Sequence, residues 1–577
     1  METKQKDILY KLIQDDLTAN TEELKKLLKP YKNGSVGIAQ LNTICADLKY
    51  NSEKIINYIE IAQNIELDLV VFPKFALCGY PLKDTPNRYP NFVKENLKIL
   101  EKIAKNTKNT TAVISFIVPD DKCYRDAIAI VSNGEIKKII QKQQECTFTI
   151  NGLKYAIALE DTNYENLKCD IIIDCTSNSI FEKGKDYASI AKRNAACVIT
   201  VNQAGVSEQI PFKGASKVYD THGKLMARAK SFEEQFLIVN PIENIGKIYP
   251  EYEYISKIGE EFSIDYEADL ERTYKVLIQG IKDYFNKSGF KRAVLGLSGG
   301  LDSTVCAVLL TDALGKENVL GISMPSKITT QESKTDARQL AANLGIGFST
   351  VPIKDMFDIT SNCLENLFKE IETKWDSRYC GSYTNDNIQA RSRAVILWGI
   401  SNEFANSIAI ATSDKSEIYM GYATINGDMS GGYAPIADIT KTKLFALARW
   451  LNKNREEKNT IPESIIQKRP GAELAIDPNT GKPLCAEDAL MPYEFMDEVI
   501  WRIENKKESY NDMINSTFLY EKYHDLSIEQ KAQWLDKFYR RMASAVFKQT
   551  LLPPTTFVDT ELFDKKFPLC SSGINYK

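Results

Sequence analysis

The run Leu295-Gly-Leu-Ser-Gly-Gly-Leu-Asp-Ser303 constrains this chain more than any other segment. It follows a short apolar stretch, Ala293 to Leu297, and opens an amphipathic run from Ser303 to Gly315. That pattern predicts a strand, a glycine turn and a helix, in that order. A helix N-terminus offers unpaired N–H groups and a partial positive charge. Gly299 and Gly300 lack a Cβ, so the backbone there can approach an anion closely. Ser298 and Ser303 add hydroxyl donors, and Asp302 can hold a hard divalent cation. The segment reads as a pyrophosphate cradle with a metal ligand beside it. No Gly-Lys-Ser/Thr follows, so it is not a Walker loop.

The surroundings extend this reading to a fold. Downstream, expected strands at 319–324 and 408–412 alternate with expected helices at 334–343, 388–403 and 441–452. Such alternation predicts a doubly wound parallel sheet, spanning 265–577. Upstream, β-like runs at 35–42, 67–72, 111–118, 127–131, 171–175 and 197–202 are interspersed with helical patterns such as 51–65. This predicts an α/β sandwich over 34–242. Residues 1–33 read as a charged helical extension. Residues 243–264 have no clean period and read as a linker packed on the surface. The fold class is therefore α/β in both halves.

Composition removes several kinds of chemistry. A net charge of −4 gives no support to a nucleic-acid partner. No apolar run of membrane-spanning length occurs, and the first residues lack the apolar core of a signal peptide, so a cytoplasmic protein is expected. Twelve cysteines contain no Cys-x-x-Cys pair, which argues against a zinc ribbon or a redox dithiol. Only His222 and His524 occur, both in polar turns, so the reaction does not run on histidine.

Four further clusters sharpen the C-terminal half. They are Met324-Pro-Ser326, Asn387-Ile-Gln-Ala-Arg391-Ser-Arg393, Thr412-Ser-Asp-Lys-Ser-Glu417, and Gly421 to Gly432 followed by Thr440-Lys441. With the loop at Ser298, which is similar to that of ATP pyrophosphatases, they resemble ammonia- or glutamine-dependent NAD synthetase from about Asp265 to Lys577. The resemblance implies that ATP activates the carboxylate of nicotinic acid adenine dinucleotide as an adenylate, and that ammonia then displaces AMP. It implies that Ser298, Gly299, Gly300 and Ser303 grip the leaving pyrophosphate, and that Asp302 and Glu417 bind Mg2+. Met324, Arg393 and Thr412 would contact ATP. Asn387 and Arg391 would contact the dinucleotide, Asp428 would lie near its nicotinate end, and Lys441 would meet phosphate. Asp302, Asp428 and Lys441 are the expected catalytic group. One departure is Gly471 after Pro470, where the family commonly carries a hydroxyl.

Residues 35 to about 240 resemble the nitrilase-type amidase domain of long NAD synthetases. The matching segments are Val36–Asn42, Phe72–Pro81, Lys142-Gln143 and Ala158–Asp161. That family needs a glutamate base, a lysine and a cysteine nucleophile. The corresponding positions hold Lys74, Lys142 and Leu159. Leucine cannot form a thioester, and loss of a nucleophile typically costs about 10⁶ in rate. The sequence therefore suggests an ammonia-using NAD synthetase with a dead glutaminase domain, assembled as a homo-oligomer. Two readings stand beside it: a glutamine-dependent synthetase with a non-standard nucleophile, and a scaffold that binds nucleotides without turnover.

Overall fold

The computed structural model describes residues 33–89, 91–120, 123–141, 146–159, 164, 167–252, 267–371, 383–471 and 485–559, together with 22, 25 and 26. Most of the expected extension at 1–33, Lys142-Gln143, residues 160–161 and residues 253–264 lie outside them. The chain divides into two compact units, Met1–Glu253 and Tyr254–Lys577.

The first unit is built on two six-stranded sheets. One runs in the order Gln235–Val239, Val36–Gln40, Leu69–Val71, Thr111–Asp120, Cys123–Ser132, Glu135–Ile140. The other runs Leu225–Arg228, Lys217–Tyr219, Cys197–Asn202, Ile171–Thr176, Leu153–Ala158, Thr147–Ile150. Strand side chains alternate between faces. Val36, Ile38, Leu69, Val71 and Val113 thus meet Tyr155, Ile157, Ile171, Ile173 and Ile199 in one core between the sheets. The opposite face of the first sheet packs beneath helices Leu48–Asn64 and Phe92–Lys105. Helix Tyr187–Asn194 covers the second. This is the expected sandwich, in four layers. The beginning of the expected linker is tied into it, because Asn240 bridges Ile245 and Arg228 bridges Ile248.

In the second unit, four parallel strands run in the order Gly347–Thr350, Val319–Ser323, Arg292–Gly296, Ser407–Ala409. The order reverses beside Arg292–Gly296, so a crevice opens at the carboxyl end of that strand. Helix Leu301–Leu314 follows it and departs from the amphipathic expectation. Leu301 and every residue from Ser303 to Leu310 are buried. The helix is enclosed by helices Glu267–Ser288, Gln331–Leu344 and Lys441–Asn454 as well as by the sheet. A helix covered all round needs no polar face. The strand expected at 408–412 stops at Ala409, and Ile410 bridges Tyr433 instead.

Candidate active site

The glycine loop is held by its own serines. The Ser298 and Ser303 hydroxyls lie 3.1 Å apart, the Gly300 N–H donates to Ser298 Oγ at 3.1 Å, and the Ser298 N–H donates to Ser303 Oγ at 3.3 Å. Gly299 takes φ +78°, and a Cβ there would lie 2.2 Å from the Ser333 carbonyl oxygen. Only glycine fits this left-handed, backbone-on-backbone contact. Gly299 therefore sets the turn from below, while Ser298, Gly300, Asp302 and Ser303 line a cavity of about 730 Å³.

Asp302, in the first turn of the helix, meets a second group of charges from far along the chain. Asp414 caps helix Lys415–Met420 by accepting the Glu417 N–H at 2.9 Å. This sets both carboxyls at one helix N-terminus, where the dipole favours negative charge. Ligand oxygens of Asp302, Asp414 and Glu417 lie within 4.8 Å of one another. Lys441, from the start of helix Lys441–Asn454, reaches all three. Its Nζ lies 2.6 Å from Asp302 Oδ1, 3.0 Å from Asp414 Oδ2 and 3.1 Å from Glu417 Oε1. The Lys441 side chain is 1% exposed, and Tyr493 lies 5.4 Å beneath its charge.

The electrostatics are unbalanced. Burial disfavours the Lys441 cation, but the three carboxylates outweigh it and hold its pKa well above normal. Burial pushes the Asp414 carboxyl up to about 6, Lys441 opposing and Asp302 reinforcing the shift. Burial likewise drives Glu417 well above the usual carboxylate range. Three acids facing one amine leave an excess of negative charge in a poorly solvated place. Clustered hard oxygens with that excess suit a divalent cation such as Mg2+.

The other expected residues divide into two groups. Met324, Asn387, Arg393, Thr412 and Asp428 all line the same cavity. Arg393 Nε donates to the Met324 carbonyl at 3.1 Å, so the strand end expected to meet adenine is already tied to that arginine. Asn387 Oδ1 accepts from the Thr424 hydroxyl at 2.7 Å, and Asp428 Oδ1 accepts the Thr424 N–H at 2.6 Å. Arg391 is exposed, lies outside the lining, and donates through Nε to the Ile425 carbonyl at 3.1 Å.

Sequence reasoning missed several residues of the site. Asp414 lay inside the quoted Thr412–Glu417 run, and an aspartate three residues before a glutamate was the signal for a helix cap. Lys468, which donates to the Ser333 hydroxyl, and Arg541 carried no such signal. Nor did Lys548, whose Nζ donates at 2.7 Å to the carbonyls of both Gly421 and Ala423.

In the first unit, Lys74 lies just beyond strand Leu69–Val71. Its Nζ is 3.4 Å from Asp126 Oδ2 and 5.1 Å from the Phe75 ring centre, and its N–H donates to the Thr176 carbonyl at 3.2 Å. Leu159 packs against the core between the sheets. Burial raises the thiols of Cys78 and Cys175 well above the normal range, and those of Cys169 and Cys197 to about 11.

A family profile described as NAD synthase matches residues 273–541, and one described as carbon-nitrogen hydrolase matches residues 35–151. A glutamine-dependent NAD(+) synthetase of Synechocystis is 31% identical over 567 residues, covering 89% of this chain and 96% of the relative. One of Thermotoga maritima is 33% identical, covering 81% and 88%. Among solved structures, a glutamine-dependent NAD(+) synthetase of Cytophaga hutchinsonii superposes with a TM-score of 0.75 at 18% identity, covering 93% of this chain and 98% of the other. One of Acinetobacter baumannii, bound to ADP, gives 0.65 at 22%, covering 93% and 98%. These two structures share the fold of both units.

Proposed function

The chain belongs to the family of glutamine-dependent NAD(+) synthetases, and on that premise we propose how its own residues serve the reaction. The substrates are ATP and nicotinic acid adenine dinucleotide. The nicotinate carboxylate oxygen attacks the α-phosphorus and pyrophosphate departs. Ammonia then adds to the acyl carbon, AMP leaves, and the amide of NAD remains. One observation carries this assignment: the loop at Ser298, Asp302, Glu417 and Lys441 line one cavity with Asn387, Arg393 and Asp428, and Asp414 lies beside the two carboxylates.

Ser298, Gly300 and Ser303 present hydroxyl and N–H donors at a helix N-terminus, where the departing pyrophosphate oxygens gain charge. Lys441 adds a cation, and the three carboxylates around it favour its charged form. Asp302, Asp414 and Glu417 would hold Mg2+, which when bound neutralises charge on the phosphates. Asn387 and Asp428, linked through Thr424, present polar groups in the same cavity for the dinucleotide. Orientation and charge stabilisation suffice for this chemistry, so no side-chain nucleophile is required. Changing Asp302 to Ala should lower NAD formation from the deamido dinucleotide, ATP and Mg2+ by about 10²- to 10³-fold, the scale for one lost electrostatic contact. Undiminished activity would remove the assignment.

The expectation that the chain uses ammonia alone, beside a dead glutaminase domain, is overturned. The relatives that align across both units carry the name glutamine-dependent NAD(+) synthetase. That name supports glutamine as the nitrogen donor for this chain. Lys74 and Leu159 stand where the resemblance implies a glutamate and a cysteine, so the attacking group would be a non-standard one. NAD formation at equal concentrations of glutamine and ammonium tests the donor. Labelling with a glutamine-like diazo-ketone, followed by peptide mapping, identifies the nucleophile. Glutamine supporting no more NAD than a nitrogen-free control sinks this reading.

A homo-oligomer is supported by helix Lys354–Ile371, whose apolar residues Met356, Ile359, Leu367 and Phe368 are exposed. Sedimentation equilibrium checks it. No helix among the described residues is long and apolar enough to cross a membrane, and free thiols at Cys78, Cys175 and Cys306 suit a cytoplasmic setting.

A further inference from the structure

Behind the carboxylate cluster lies a layer that touches none of its three acids. Asp497, on helix Tyr493–Trp501, has no solvent exposure. Its Oδ1 accepts the Ser416 hydroxyl at 2.5 Å. Its Oδ2 accepts both the N–H and the hydroxyl of Thr442 at 2.8 Å. Ser416 directly precedes Glu417 and lies two residues after Asp414, while Thr442 directly follows Lys441. Ser416 Oγ closes the arrangement by accepting the Lys441 N–H at 2.9 Å. One carboxylate therefore clamps the N-terminal turns of the two helices that carry Glu417 and Lys441. The Lys415 N–H, which donates to the Ile439 carbonyl at 2.9 Å, ties the same two segments once more, and the Asp497 junction adds a side-chain lock to that backbone contact.

We propose that Asp497 is a positioning residue for ATP cleavage, fixing the distance between Lys441 and the carboxylates of Asp414 and Glu417 through Ser416 and Thr442. This rests on the function proposed above. The physical reason is the steepness of charge interactions in a poorly solvated site. Contacts of 2.6 to 3.1 Å around Lys441 do not survive an independent drift of either helix. Partners that orient ligands without touching the ligand itself commonly contribute about 10- to 100-fold in affinity or activity. Asp497 is buried for a structural role as well, so the discriminating readout must be one that general loosening leaves alone.

Asp497→Asn keeps the volume and one acceptor but weakens the clamp. The variant should bind Mg2+–ATP about tenfold more weakly by calorimetry, with metal-free ATP binding unchanged. Its half-activating Mg2+ concentration should rise by a similar factor, kcat should fall, and KM for the dinucleotide should stay within twofold. Ser416→Ala breaks the same junction without altering a charge, and should reproduce the shift if Asp497→Asn does not fold. A lowered melting temperature in both variants, with Mg2+–ATP affinity and Mg2+ activation unchanged, overturns the proposal. Weaker Mg2+–ATP binding in a chain that forms no NAD supports the clamp and removes only the functional reading.

Discussion

The two units answer the same physical problem differently. Each places charged side chains near the carboxyl ends of its strands. In the first unit, Lys74 lies against Asp126, with the two side chains 20% and 28% exposed. In the second, Lys441 faces Asp302, Asp414 and Glu417, one cation for three anions, with the lysine 1% exposed. Charges in partial contact with water are screened by it. A surplus of buried like charge is costly unless something of opposite sign joins it. Burial of unequal charge, more than the presence of ionisable residues, marks the site that demands a ligand.

The largest expected break comes from Lys441→Met. Three carboxylates would lose the buried cation that contacts all of them, at a cost of about 3 to 5 kcal/mol in unfolding free energy. Added Mg2+ should restore part of that loss in a thermal melt, because a dication replaces the missing charge. No Mg2+ effect would mean that the cluster is a structural ion pair like the one in the first unit.

Gly299→Ala is next. The new methyl meets the Ser333 carbonyl from a backbone at φ +78°, so about 1 to 3 kcal/mol of strain is expected. Chemical denaturation reads the stability, and pyrophosphate release reads the loop. A variant with normal release would show that the loop tolerates a shifted floor.

Lys74→Met should cost under about 1 kcal/mol, since the pair is partly solvated and screened. A loss as large as that of Lys441→Met would erase the contrast between the units. The smallest effect concerns pH. Burial raises the Asp497 carboxyl to about 7, against donors at Ser416 and Thr442. Between about pH 4 and 7 the folded chain then holds a proton that the unfolded chain releases. This contribution favours folding at the acidic end and is lost as pH rises through that window. Melting curves of Asp497→Asn should fall less steeply than wild type over the same range. An identical slope would show that Asp497 is ionised throughout.

Several features were legible because they are local. The glycine turn between an apolar run and a helix needs only adjacent residues, as do the alternating strands of both units. The cap at Asp414 is equally local, since it needs only the Glu417 N–H three residues on. Helix Leu301–Leu314 was misread as amphipathic because its one-sided pattern was assumed, whereas three neighbouring helices and the sheet enclose it. Arg391 and Arg393 are both expected to meet a ligand, yet a helix turns residues two apart to different sides, and only Arg393 lines the cavity.

By itself the sequence determined that a phosphate-binding turn opens a parallel α/β unit, and that a sandwich of alternating strands precedes it. Backbone sterics and side-chain periodicity act over a few residues, so these were written in order along the chain. Tertiary structure alone decided that Lys441, 139 residues beyond Asp302, would lie against three carboxylates, and that Asp497 would lock the helices behind them. Such convergence depends on how helices pack around a sheet, and no local spacing records it.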